Sequence, residues 1–180
     1  MTERGSFENA IAQLSSVLDE CNIPYALIGG LAVAVWGVPR ATEYIDLLAD
    51  LRPSRELDAA LRAEGFRVEW RRGDPEDPIP LLLRLNSATS PEIDIVCATR
   101  SWEREMLSRA ITVRLPTGLE APVMAAEDLI VLKLIAGGPG DLIDVAELLQ
   151  RTSLTAELEV RAAARGMAEL LSQVMASTRR

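Results

Sequence analysis

Two aspartates stand in the middle of short apolar runs: Asp46 in Tyr44 to Ala49, and Asp94 in Glu92 to Val96. A carboxylate in such a run is costly to bury unless a cation or a hydrogen-bond donor meets it. Side chains in a strand alternate faces, so Tyr44, Asp46 and Leu48 share one face, Glu43, Ile45 and Leu47 share the other, and Glu92 lies on the face of Asp94. Two mid-strand aspartates in one sheet can converge on a divalent cation. Carboxylate oxygens suit magnesium or manganese, which bridge to the phosphates of a nucleotide. The competing reading is that each aspartate caps a strand end or pairs with one of the many arginines. Upstream, the apolar run Tyr25 to Ile28 breaks at Gly29-Gly30 and resumes to Trp36, the pattern of a strand, a glycine turn and a short helix. Glycines there let the backbone approach an anion such as a phosphate. A plain buried turn explains them equally well.

Lys133, the only lysine, sits in a helical run that is apolar on nearly every side from Leu129 to Ile135. Such a lysine either snorkels to Asp128, Asp141 or Asp144, or reaches into a site. The absence of histidine excludes a histidine base and any imidazole metal site. Cys21 and Cys97 follow no metal or disulfide spacing, so a reduced, cytoplasmic setting is expected. A formal charge of -8 and a pI near 4.7 argue against broad binding to nucleic acid or to an anionic membrane. No apolar run approaches the ~18 residues of a membrane span, and the first ten residues lack the pattern of a signal peptide.

The 180 residues suffice for one domain with a sizeable core. Periodicity predicts a helix over 6–21 with Ser6 as N-cap, strands at 25–28 and 44–49, and a helix from Pro53 to Gly65. A strand over 66–70 leads into 71–80, read as an exposed loop whose Arg71-Arg72 is plain surface. Strands at 81–85, expected to be buried on both faces, and at 93–96 come next. A helix over 101–110 precedes a strand over 111–115 that closes at residues 116–118. Helices over 126–136, 139–151 and 155–176 follow, the last assigned to core packing or to a partner. The expected division is an α/β core over 1–121 and a helical part over 122–180 packed on it, together forming one structural domain.

Gly29-Gly30, then Arg40-Ala41-Thr42 leading into Ile45-Asp46-Leu47-Leu48, then Glu92-Ile93-Asp94-Ile95-Val96, resemble the nucleotidyltransferase fold shared with DNA polymerase beta. The combination is similar to bacterial minimal nucleotidyltransferases and to the abortive-infection nucleotidyltransferases of toxin–antitoxin systems. The run from Glu127 to Leu134 followed by Gly140 to Val145 resembles the helical lysine and Asp-x-x-Asp pair of those relatives. The resemblance covers residues 7 to 150. It implies an α/β (α+β) fold with a mixed sheet flanked by helices and C-terminal helices packed on it. It further implies Gly29, Gly30, Arg40 and Thr42 as nucleotide-binding residues and Asp46 and Asp94 as ligands of Mg2+ or Mn2+. Asp46, Asp94, Lys133 and Asp141 are then the catalytic set, with Lys133 on phosphates and Asp141 as a base toward the acceptor hydroxyl. The implied reaction transfers a nucleoside monophosphate from a nucleoside triphosphate to a hydroxyl on a protein or an RNA, tRNA included, and a toxin or antitoxin is the implied protein partner.

The chain departs from that pattern in one important position. Relatives carry two metal-binding aspartates on the first of these strands, and Tyr44 replaces the first of them. Glu43 points to the opposite face in a regular strand and does not substitute. A neutral phenol weakens a two-metal arrangement. Relatives also carry a basic residue before Asp141, where this chain has Gly137-Gly138-Pro139-Gly140. The alternative function is therefore a catalytically inactive antitoxin or regulatory binding module of the same fold.

Overall fold

The computed structural model describes residues 3–74, 79–116, 118–152 and 155–178. Apolar residues at three-and-four spacing form α1, Glu3–Glu20, which buries Ile11, Leu14 and Leu18. Asn22, at φ 53, turns the chain into β1, Tyr25–Leu27, and α2, Gly29–Val35, begins almost at once. Then come β2, Tyr44–Ala49, and α3, Arg55–Ala63, whose N-cap Ser54 accepts a hydrogen bond from the Leu57 N–H at 3.0 Å. Strands β3, Arg67–Arg72, β4, Leu81–Asn86, and β5, Glu92–Cys97, precede α4, Ser101–Ser108. The chain closes with β6, Ile111–Arg114, β7, Glu120–Val123, α5, Ala126–Ala136, α6, Pro139–Arg151, α7, Glu157–Ala163, and α8, Ala168–Thr178.

The strands form one seven-stranded mixed sheet in the order β3-β4-β5-β2-β1-β7-β6. Strand β2 runs parallel to β5 and antiparallel to β1, and β1 meets β7 in parallel at Leu27 and Val123. Leu27, Ile45, Leu47, Leu83, Leu85, Ile93 and Ile95 are buried in the core. Helix α2 packs on β2 and touches α5, while α5 to α8 pack on one another. The structure is thus an α/β fold with a mixed sheet flanked by helices, and β7 carries the chain from the sheet directly into the C-terminal helices.

Several local expectations need correction. Ser6 lies inside α1 and does not cap it; its hydroxyl donates instead to the Thr89 carbonyl at 3.1 Å, tying α1 to the β4–β5 turn. Strand β4 alternates buried and half-buried positions because Leu82, Arg84 and Asn86 face away from the core. Arg71 and Arg72 belong to β3, paired with Leu82 and Leu81. Residues 75–78 of the expected loop, and Thr117 of the expected turn, lie outside the described residues. The single helix expected over 155–176 is two helices, separated at Gly166 with φ 74, a conformation that glycine adopts without the Cβ penalty. Strand β7 was not anticipated, because four residues interrupted by Pro122 carry almost no periodic signal.

Candidate functional site

A cleft of about 1100 Å³ opens where α2, the loop before β2, the β4–β5 turn and the start of α6 meet. Gly29, Gly30, Arg40, Thr42, Asp46, Lys133 and Asp141 all line it, as does Tyr44, whereas Asp94 does not. The local sequence explains this convergence. Gly29 adopts φ 61, and a Cβ there would stand 2.1 Å from Asp46 Oδ2, so only glycine lets the α2 backbone lie against the β2 carboxylate. Gly30 faces Thr42, whose Cβ would be 3.1 Å from a methyl at that position. Thr42 in turn donates to the Tyr44 carbonyl at 2.9 Å and accepts from the Tyr44 N–H at 3.3 Å, which fixes the entry into β2.

Lys133 is buried in α5 and points into the base of the cleft. Its Nζ donates to Asp141 Oδ1 at 2.7 Å and makes an ion pair with Asp144 Oδ2 at 2.8 Å, in a geometry outside that of a regular hydrogen bond. Arg40 closes the cluster by pairing with Asp144 Oδ1 at 3.1 Å. Burial alone would depress the Lys133 ammonium, but its hydrogen bond to Asp141 and its ion pair with Asp144 outweigh this and hold it above its ordinary value. Lys133 therefore stays charged, and its charge is already answered by two carboxylates. Asp144, buried with only 1 % exposure, was an expected partner of Lys133 and proves the more deeply placed of the two.

Asp46 has a different environment. Among the described residues no hydrogen bond or ion pair reaches its carboxylate. Burial pushes it above the ordinary carboxylate range, the nearby Asp94 charge adds to the rise, Lys133 opposes it and Asp141 adds again. Asp46 and Asp94 are directly opposite each other across the parallel β2·β5 pair. Asp94, however, faces a second neighbour. Arg84 of β4 is in register with it on the other side, and the guanidinium clasps both oxygens, Nε to Oδ1 and NH2 to Oδ2, each at 2.7 Å. The third guanidinium nitrogen, NH1, lies 3.2 Å from Glu92 Oε1.

Arg84 was missed in the sequence, where Leu81 to Leu85 reads as an apolar strand. The available signal was a lone charge in that run, the same feature that singled out Asp46 and Asp94.

The donor set can now be tested against a metal pair. Tyr44, at the position where the resemblance led us to expect a first metal-binding carboxylate, is 49 % exposed and lies opposite Glu92. Both Asp94 oxygens are held by Arg84, and Asp141 is held by Lys133. Among the described residues no group of three or more His, Cys, Asp or Glu side chains could hold a metal ion. The residues present do not fit a two-metal centre: of Asp46, Glu92, Asp94 and Asp141, only Asp46 has no cation at bonding distance among the described residues. No helix among the described residues is long and apolar enough to cross a membrane.

No protein-family model and no curated protein matches the sequence. Solved structures do match. An antigenic nucleotidyltransferase-like protein from Paracoccidioides brasiliensis superposes with a TM-score of 0.57 at 16% identity, covering 97% of this chain and 93% of that one. The antibiotic-resistance factor ANT(2'')-Ia gives 0.57 at 21% identity over 91% of this chain and 93% of its own. The lincosamide antibiotic adenylyltransferase LnuA, in its lincomycin-bound form, gives 0.51 at 17% identity over 81% and 98%. With the sheet order, the glycine start of α2 against β2 and the facing aspartates, these likenesses establish that the chain has the nucleotidyltransferase fold.

Proposed function

We propose that this protein is a nucleotidyltransferase-fold binding module whose cleft receives a nucleoside triphosphate and that does not carry out metal-dependent nucleotidyl transfer. The observation carrying this reading is the commitment of Asp94 to Arg84 beside a tyrosine at position 44, which leaves Asp46 alone. In this reading the Gly29-Gly30 backbone, Thr42 and Arg40 meet the phosphates. Arg40 is suited to this, since its side chain is 39% exposed while one nitrogen stays anchored on Asp144. Occupancy of the cleft is then what a protein or RNA partner reads.

Titration of ATP, GTP, CTP and UTP by calorimetry, with and without magnesium, tests the proposal. The expected result is binding that changes less than about threefold with magnesium, with no release of pyrophosphate. Asp46→Asn gives the sharper sign. If no metal screens Asp46, its charge repels the triphosphate, and the substitution tightens binding about fivefold. A site that needs the metal would instead lose binding. Absence of binding by any triphosphate at millimolar concentration would overturn the nucleotide reading.

A second reading is transfer of a nucleoside monophosphate to a hydroxyl on a protein or RNA. It is favoured by Asp46, Lys133 and Asp141 lining one cleft. Magnesium-dependent pyrophosphate release by the unaltered chain would establish it in place of the first.

A further inference from the structure

We infer that Arg84 is a resident cation that shuts this sheet to divalent metal, and that two residues, Arg84 together with Tyr44, separate the chain from a metal-binding site. The inference rests on the reading of the cleft as a non-transferring site and names the residue responsible for it. In one row across the sheet, Arg84, Asp94 and Asp46 occupy consecutive strands in direct register. All three guanidinium nitrogens are engaged, two on Asp94 and one on Glu92. The fork of a guanidinium matches a carboxylate in two parallel bonds and supplies the countercharge that a metal would supply at the same oxygens.

This pairing is stiff in two senses. Arg84 and its partners project from facing strand positions, so the contact needs no loop to form. The charge is also permanent. Arginine does not lose its proton in proteins, and the hydrogen bond to Asp94 raises Arg84 further still. Magnesium needs close oxygens in a near-octahedral shell, and a fixed positive charge on the neighbouring strand opposes a second cation there. Restoring an aspartate at position 44 therefore adds a ligand on β2 without releasing Asp94. A lysine would be a weaker lock, since its single ammonium cannot fork across both oxygens.

The test is titration with Mn2+ alone, read by electron paramagnetic resonance of the free ion, on the unaltered chain, Tyr44→Asp, Arg84→Met and the double variant. Without nucleotide present, the result does not depend on whether triphosphates bind. Tyr44→Asp is expected to stay within about threefold of the unaltered chain. Arg84→Met should gain about tenfold in Mn2+ affinity, and the double variant about 100-fold, the range over which groups that set carboxylate availability act. Arg84→Gln provides a neutral variant that keeps polar contact with Asp94 if Arg84→Met does not fold. Thermal melting gives a second readout: Mn2+ should raise the melting temperature of the double variant and leave the unaltered chain unchanged. The inference is overturned if Tyr44→Asp alone binds Mn2+ as tightly as the double variant, or if removing Arg84 produces no gain in any background.

Discussion

Around Asp128 the chain surrounds a buried carboxylate with cations, and around the half-buried Asp46 it places none at bonding distance among the described residues. Asp128, fully buried at the start of α5, is clasped by Arg109 through Nε at 2.8 Å and NH2 at 2.9 Å. Arg161 of α7 adds an ion pair at 3.2 Å, and beside it Glu127 accepts from the Thr155 N–H at 2.7 Å. These contacts join the end of α4 to α5 and α7, and every charge in the set has an opposite. At the cleft, α2 brings Gly29 against Asp46, and among the described residues no cation bonds to it. An answered charge holds elements together; an unanswered one raises the energy of the unliganded fold and is available to a ligand. Asp94 is informative because it sits beside Asp46 yet is treated like Asp128.

The contrast is tested most strongly at Arg109. Arg109→Met strands Asp128 in a dry site with Arg161 as its one remaining cation, and should cost about 3 kcal/mol in urea unfolding at neutral pH. A loss below ~1 kcal/mol would mean that Arg161 alone satisfies Asp128. Next is Lys133→Met, which deprives Asp141 and Asp144 of their shared donor and should cost about 2 kcal/mol. Because the folded state raises Lys133, its contribution is complete below the ordinary value of 10.5 and is lost as pH climbs through the folded value above it. The gap in urea midpoint between the unaltered chain and Lys133→Met should accordingly be full at about pH 8 and shrink at about pH 11. Gly29→Ala should cost about 2 kcal/mol, from a left-handed backbone and a methyl pressed into Asp46, seen as a lower melting temperature.

The smallest effect has the opposite sign. Asp46→Asn should stabilise the unliganded protein by about 1 kcal/mol at neutral pH. Folding raises the Asp46 carboxyl, so the native state pays for the ionised form above the folded value. That cost fades as pH falls through the raised folded value and is gone below the ordinary 3.8, where both states hold the proton. The advantage of Asp46→Asn should fade with it. A destabilised Asp46→Asn would show that Asp46 is structural, as Asp128 is.

Much of this arrangement was legible in the residues. Strand β2, the shared face of Tyr44 and Asp46, and the helix carrying Lys133 all follow from local periodicity and from charges set in apolar runs, whereas Gly29-Gly30, read as a turn before a helix, are the first two residues of α2 itself. The missing parts depend on neighbours in space. Which cation answers Asp94 is decided by the β4·β5 register, and no local pattern specifies the residue across an antiparallel pair. Strand β7 is four residues long and acquires its identity by pairing with β6 and β1. Gly166 fits a helix on hydrophobic spacing alone, and only its positive φ divides α7 from α8.

The position of β7 also bears on the order in which the fold can be assembled. It inserts between β1 near one end of the chain and β6, so β1 keeps an open edge until residues 120–123 arrive. As the chain emerges during synthesis, β2 can pair with β1 and β5 while β6 still has no neighbour at all. An unpaired edge invites association with other chains, and contacts between residues far apart in sequence form slowly. Until four residues near position 120 arrive, the sheet that already carries Asp46 and Asp94 therefore presents β1 as an unpaired edge.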